Sequence, residues 1–173
     1  MSIARVRRDS PVPAPGPIRM TDPTELRVPV GTVAVAVLDT EGQEVSGQLF
    51  VSECAAGHSG PMRPEERMND ASDFFPFHVD GDSTSVLLNK HRVSVVTLTC
   101  PEPDPERALP HRRVVVVCDG REYSGVISLT TPATQLRVLD QLNGSERFLV
   151  LKSGRRQYLL NKRRVSRVVE VEP

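Results

Sequence analysis

Short runs of β-branched and apolar residues alternate with turns containing glycine or aspartate along most of the chain. Residues 113–118 form one such run, which ends at Asp119-Gly120, a pair typical of a tight hairpin turn. Residues 122–129 have the pattern of a return strand, in which Gly125 predicts a bulge or bend. Further short strands are predicted in residues 148–151, 158–160 and 165–171. Five short strands favour a small barrel, because closure removes exposed sheet edges.

The same pattern occurs twice in the chain. Residues 87–96, LLNKHRVSVV, align with residues 159–168, LLNKRRVSRV, with eight of ten positions identical at an offset of 72. Upstream, Gly47 aligns with Gly125 and Phe75 with Phe148. Matches in the same order predict an internal duplication. Each copy has about 65 residues, near the lower size limit for an independent core, so the sequence leaves open both separate cores and one core shared by the two copies.

Proline-rich stretches separate the two copies from the rest of the chain. Residues 10–17 read SPVPAPGP, which favours extended polyproline II and predicts a disordered tail. Residues 100–106 read CPEPDPE, which predicts a semi-rigid spacer. The predicted parts are a tail (1–29), a first repeat (30–98), a spacer (99–111) and a second repeat (112–173).

This layout, with an Asp-Gly hairpin, a bent second strand and a short turn before the last strand, resembles Sm-like and SH3-like small barrels. Residues 89–94, NKHRVS, are similar to the Lys-His turn of the bacterial Sm-like RNA chaperone. The pattern around LLNK is also similar to small uncharacterised bacterial domains with one copy. The resemblance implies an all-β fold of two tandem five-stranded barrels after the tail. It supports this fold more than RNA binding, because Asn161-Lys162 replaces the Arg-Gly signature of the Sm type.

The charge is balanced overall but divided between the repeats. There are 22 Lys and Arg against 22 Asp and Glu, which excludes a uniformly basic nucleic-acid arm and a uniformly acidic tail. Residues 30–98 carry four basic and ten acidic groups, and residues 112–173 carry twelve and six. Attraction between acidic and basic repeats, within or between chains, is therefore expected. No apolar run is long enough to span a membrane and the start has no secretory pattern, so a cytoplasmic location is expected.

The cysteines and histidines do not indicate a cofactor or metal. Cys54, Cys100 and Cys118 are odd in number and form no C-x-x-C pair, which predicts free thiols. Cys54 and His58 have the spacing of two metal ligands, but no second pair completes a zinc site. Because the copies share no cluster of His, Cys or carboxylate groups, catalysis is not expected.

Two arginine–aspartate pairs with the same spacing recur in the copies, Arg67 with Asp70 and Arg137 with Asp140. Each pair on one helical turn is worth about 0.2–0.5 kcal/mol. We interpret the pairs as a structural latch that holds the connecting segment against the strands. A site shared by both copies is the alternative.

Basic residues of the second repeat and the glycine- and proline-rich loop 55–64 are the candidate binding surfaces. Arginine side chains suit phosphate as well as carboxylate. The preferred hypothesis is a non-catalytic cytoplasmic adaptor or scaffold that binds a protein partner. The alternatives are an Sm-like RNA-binding protein, which seven aromatic residues and no Trp disfavour, and a self-assembling structural protein. The candidate residues are Arg112, Arg113, Arg155, Arg156, Lys162, Arg163, Arg164 and Arg167 of the second repeat and His58, Met62 and Arg63 of the loop.

Overall fold

A computed structural model describes residues 30–100, 110–129 and 137–171. The predicted tail and most of the predicted spacer lie outside the described residues. The strands are β1 (Val30–Asp39), β2 (Glu44–Ser52), β3 (Phe74–Val79), β4 (Ser85–Asn89), β5 (Val93–Thr99), β6 (His111–Cys118), β7 (Arg121–Ser128), β8 (Phe148–Ser153), β9 (Arg156–Asn161) and β10 (Val165–Glu170). The helices are α1 (Pro64–Asn69) and α2 (Val138–Asn143), and short 3-10 turns cover Lys90–Arg92 and Lys162–Arg164.

The ten strands form one antiparallel sheet in the order β10-β6-β7-β8-β9-β5-β1-β2-β3-β4. This confirms the predicted all-β class. Both repeats have the same internal order, because the last strand lies beside the first and the others follow in sequence. The sheet is not closed into a barrel, so two separate five-stranded barrels are not confirmed. The reason is that β5 pairs with β1 on one side and with β9 of the other repeat on the other.

Local turn and bend chemistry explains the shape of each repeat. Asp119 and Gly120 both have positive φ, 46° and 76°, which is the backbone of a two-residue hairpin turn between β6 and β7. Gly47 and Gly125 allow the second strand of each repeat to cross closely over the third. A Cβ atom at Gly47 would lie 2.1 Å from the carbonyl oxygen of His78, and one at Gly125 would lie 2.4 Å from that of Lys152.

The hydrophobic core has two clusters, and each extends across the junction between repeats. The first contains buried residues of the first repeat together with Phe148 and Leu159 of the second. The other contains residues of the second repeat together with Leu38 and Val95 of the first. The β5–β9 junction is therefore closed by apolar side chains as well as by strand pairing.

The pairing registers define which residues of the two repeats correspond. Asn89 lies opposite Phe74, and Asn161 lies opposite Phe148. β4 and β9 are therefore related by 72 positions and β3 and β8 by 74, because the turn after β3 is two residues longer than the turn after β8. Phe148 thus corresponds to Phe74 and not, as the sequence alignment predicted, to Phe75.

The two helices are also related by 74 positions. Their N-caps are Arg63 and Arg137, and each helix has six residues. The structure therefore places the two aligned motifs at different positions of their repeats: Arg67 and Asp70 lie at the end of α1, whereas Arg137 and Asp140 lie at the start of α2. Among the described residues, neither helix has the length and apolar character needed to cross a membrane.

Candidate functional site

Each repeat has an Asn-Lys turn between its last two strands. Asn89 Oδ1 accepts the backbone N–H of His91 at 2.9 Å, and Asn161 Oδ1 accepts that of Arg163 at 3.1 Å. The carboxamide thus caps the 3-10 turn in both copies, as the turn chemistry of asparagine predicts.

The lysine of this turn points inward and holds the end of the preceding helix. Lys90 is fully buried, and its Nζ donates to the carbonyl oxygen of Arg67 at 2.8 Å and to Asp70 Oδ1 at 2.7 Å. Lys162 Nζ donates in the same way to the carbonyl oxygens of Gln141 and Gly144, at 3.1 and 2.9 Å. Lys162, predicted to bind a partner, is therefore a structural residue in this conformation.

A carboxylate accompanies this lysine in the first repeat. Burial acts to raise the pKa of Asp70, but the Lys90 ammonium and the Ser72 donors outweigh it and bring the pKa to about 2. Arg67 Nη1 forms a further ion pair with Asp70 Oδ2 at 2.5 Å. In the second repeat the backbone N–H of Asp140 donates to the carbonyl oxygen of Arg137 at 3.1 Å, within the first turn of α2.

Two asparagines join the repeats through backbone contacts. Asn161 is buried, and its Nδ2 donates to the carbonyl oxygens of Lys90 at 3.2 Å and Val93 at 2.8 Å. Asn69, at the end of α1, donates to the carbonyl oxygen of Phe148 at 3.1 Å and accepts its backbone N–H at 2.7 Å. Because Phe148 lies opposite Asn161, these contacts fix the second repeat against the first at one end of the junction.

A charged cluster covers the same junction at the surface. Arg147 Nη2 lies 2.8 Å from Asp73 Oδ1, and His91 Nε2 lies 3.1 Å from the same oxygen. Arg163 Nη1 lies 3.3 Å from His91 Nδ1. Hydrogen bonding from Arg147, aided by His91 and opposed by burial, lowers the pKa of Asp73. The cluster joins an acidic group of the first repeat to basic groups of the second.

Other predicted binding arginines near these turns are paired within their own repeat. Arg164 Nε lies 3.0 Å from both carboxylate oxygens of Asp119, and Arg167 Nη2 lies 3.5 Å from Glu122 Oε1. Burial acts to raise the pKa of Asp119, but hydrogen bonds from Arg164 and Ser94 hold it below its usual value. These arginines therefore already face acidic partners.

The remaining predicted arginines lie together at the opposite ends of the strands of the second repeat. Arg113 is paired in register with Val126, and Val126 with Lys152, so both basic residues flank one position of β7. We name as the basic end the exposed or half-exposed side chains Arg112, Arg113, Lys152, Arg155 and Arg156. Lys152 was missed from the sequence because it stands alone after an apolar strand.

An open groove of about 610 Å³ crosses the junction on one face of the sheet. Small residues of the first repeat, among them Ala34 and Ala36, form part of its lining. Tyr123 and Tyr158 of the second repeat line the other side, with ring centroids 5.2 Å apart in an edge-to-face arrangement. We call this the junction groove.

The charges in the junction groove have both signs. Arg121 and Arg156 of the second repeat line it together with Glu44, Asp80 and Glu122. Arg156 belongs to both the junction groove and the basic end. Arg156 is the one predicted binding residue among those that line the groove, where it lies beside apolar surface from both repeats.

The loop 55–64 is held close to the protein. His58 Nε2 lies 2.9 Å from Glu66 Oε1, and a hydrogen bond with the Ser59 carbonyl, then that with Glu66, raises the pKa of this histidine. Met62 packs against the first core cluster, and Arg63 is the N-cap of α1. The three candidate residues of this loop thus contact their own repeat in this conformation.

The cysteines and the other possible metal ligands lie apart from one another in the described part of the chain. Cys54, Cys100 and Cys118 are free, and burial raises the pKa of the Cys118 thiol to about 11. Within residues 30–100, 110–129 and 137–171, no three His, Cys, Asp or Glu side chains come together as metal ligands.

No protein-family model matches the chain, and no curated protein or solved structure matches it either.

Proposed function

We propose that the protein is a non-catalytic adaptor that binds an extended segment of a protein partner in the junction groove. The observation that supports this proposal is the composition of the groove, in which a tyrosine pair, small residues and charges of both signs lie side by side. Tyrosine supplies a large contact area and a hydroxyl, and it is enriched at protein interfaces. Mixed charges select a partner by complementarity more than they add affinity.

The charge distribution favours a protein partner over RNA. Three carboxylates line the groove beside two arginines, and these carboxylates would repel phosphate groups. Of the arginines in the second Asn-Lys turn, Arg164 pairs with Asp119, and Arg163 lies beside His91 in the charged cluster that covers the junction. An Sm-like RNA-binding function, the alternative that the sequence resemblance suggests, would have to use the basic end alone.

The test is selection of random displayed peptides on the immobilised full chain. Ala34→Trp fills the groove from an exposed position on β1, and Thr32→Trp places the same side chain two residues earlier on the same strand, outside the groove lining. We expect enriched peptides to bind the wild type and Thr32→Trp with similar affinity and to bind Ala34→Trp at least tenfold more weakly. Equal binding to both variants, or no enrichment, contradicts the proposal.

A parallel titration with pooled RNA tests the alternative. RNA binding that weakens steeply with salt and is lost in Arg112→Glu with Arg113→Glu would replace the adaptor proposal with the RNA-binding one. We expect neither the basic-end variant nor Arg163→Ala with Arg164→Ala to change peptide binding, because none of these residues lines the groove.

A further inference from the structure

We infer that copies of this chain associate head to tail, with β4 of one copy pairing with β10 of the next and repeating the β5–β9 junction. In the described part of the chain, β4 pairs with β3 alone and β10 with β6 alone, so they form the two edges of the sheet. They are also the repeat counterparts of β9 and β5, the two strands that join the repeats. The chain thus displays both halves of a contact that it already makes internally.

Burial supports this inference on the β4 side. Phe148 and Leu159 are 1% and 0% exposed because they pack into the core of the first repeat. Their counterparts, Phe74 and Leu87, are 53% and 71% exposed. Leu87 lies on the edge strand β4 and Phe74 on the adjacent strand β3, and an edge with such apolar side chains in solvent is a template for pairing with another chain.

The β10 side displays two apolar residues where β5 has threonines. Val169 and Val171 are 46% and 40% exposed. They correspond to Thr97 and Thr99, which pair with β9 across the internal junction. Transferring that register to the free edges places Val168 opposite Leu87 and Val169 opposite Val86.

The polar contacts of the junction also have counterparts at the edges. Asn89 corresponds to Asn161, whose side chain donates to the backbone of the neighbouring repeat. Asn143 corresponds to Asn69, which pairs with the backbone of Phe148. In the intermolecular junction Asn89 would donate to the turn of the next copy, and Asn143 would pair with the backbone of Phe74.

Charge makes the contact favourable between different ends. Asp73 and Arg147 occupy corresponding positions and form an ion pair across the internal junction. In the contact between two copies, Arg147 of one copy would face Asp73 of the next, so the facing charges are again opposite. Residues 30–98 carry six more acidic than basic groups and residues 112–173 six more basic than acidic, so a β4 edge attracts a β10 edge and repels another β4 edge. The contact is therefore heterologous, which builds rings when the rotation closes and filaments otherwise.

Light scattering on the full chain tests the inference, with one charge placed on each edge. Leu87→Asp blocks the β4 edge and Val169→Asp blocks the β10 edge, and both positions are exposed, so the fold of a single copy tolerates them. Val30→Asp is the matched control, an apolar residue 51% exposed at the start of β1. We expect the wild type and Val30→Asp to be oligomers and each edge variant to be monomeric.

Mixing the two edge variants gives the decisive result. A Leu87→Asp chain retains a β10 edge and a Val169→Asp chain retains a β4 edge, so the mixture should form a dimer that does not grow further. A monomeric wild type, or oligomers that persist in either edge variant, would overturn the inference. A mixture that stays monomeric while the wild type is oligomeric would also overturn it.

The register is tested by cross-linking in a Cys54→Ser background. Val86→Cys on one chain and Val169→Cys on another should form a disulfide on oxidation, because these positions are opposite each other in the transferred register. Arg167→Cys lies two positions away on β10, and its yield of disulfide with Val86→Cys should be at least fivefold lower. Equal yields from both partners contradict the proposed pairing. This inference does not depend on the proposed adaptor function.

Discussion

Asn161 of the second repeat lies against Val93 of the first, with its Nδ2 2.8 Å from the Val93 carbonyl oxygen. The same side chain donates to the carbonyl oxygen of Lys90 and accepts the backbone N–H of Arg163. One buried carboxamide therefore caps its own turn and fastens the neighbouring repeat.

Asn161→Ala should lower the free energy of unfolding by about 1–3 kcal/mol more than Asn89→Ala, because only Asn161 bonds the other repeat within one chain. Urea unfolding measures both. The comparison is made in the Leu87→Asp background, so that association does not contribute. Equal losses would show that the cross-junction bonds add nothing to stability.

The two turn lysines provide a matched pair for the energetics of a buried ion. Lys90→Met removes the buried ammonium from the Arg67 carbonyl and from the Asp70 carboxylate, which keeps its contacts with Arg67 and Ser72, and we expect a loss of about 3 kcal/mol. Lys162→Met removes donors from two carbonyl groups only, and we expect about 1–3 kcal/mol. A larger loss for Lys162→Met in thermal or urea unfolding would contradict this ranking.

Acid should destabilise the protein partly through Asp70. Its pKa in the folded protein is about 2, below the ordinary value of 3.8, so the folded state favours the charged form. The resulting stability, about 2 kcal/mol, is present above pH 4 and is lost as the pH falls toward 2.

Asp70→Asn should therefore be less stable than the wild type near pH 7, and the difference should narrow as the pH falls to 2. Urea midpoints measured between pH 7 and pH 2 check this. The other carboxylates titrate in both proteins, so the difference between the two curves isolates Asp70. A difference that stays constant over this range would exclude the ion pair with Lys90 as its cause.

The close crossing of strands at glycine predicts a strong response to one added methyl group. Gly47→Ala and Gly125→Ala place Cβ within 2.1 and 2.4 Å of backbone carbonyl oxygens, so the strands must move apart, at a cost of about 1–3 kcal/mol or more. Gly57→Ala is the control, because nothing lies within 4 Å of its Cβ. Thermal unfolding should show losses for Gly47→Ala and Gly125→Ala and little change for Gly57→Ala.

Features governed by short-range chemistry were predictable from the sequence. The Asp119-Gly120 turn, the close approach at Gly125 and the cap at Asn161 each depend on residues a few positions apart or on one missing Cβ atom. The repeat was also visible, because residues 87–96 and 159–168 retain both strands and the turn between them.

Features that depend on how the repeats meet were not predictable in this way. The edge strands of a five-stranded unit pair either with each other or with an edge strand of a neighbouring unit. The same pattern of strands in the sequence is compatible with both arrangements. The fully buried Lys90 was also missed, since lysine is almost never fully buried unless paired. The available signal was that lysine follows LLN in both copies, Lys90 and Lys162. The Arg-x-x-Asp motifs, 70 positions apart, misaligned the helices, because the structure relates the helices by 74 positions and the same three-residue spacing falls at different places in each.

The β5–β9 pairing within one chain also determines how many repeats the inferred assembly can contain. Each chain brings its repeats as a covalent pair, so a closed assembly contains an even number of repeats in which acidic and basic units alternate. The internal junctions form at the effective concentration of a single chain, and only the others depend on protein concentration. Dilution should therefore release intact two-repeat chains. A ring with an odd number of repeats cannot form from whole chains.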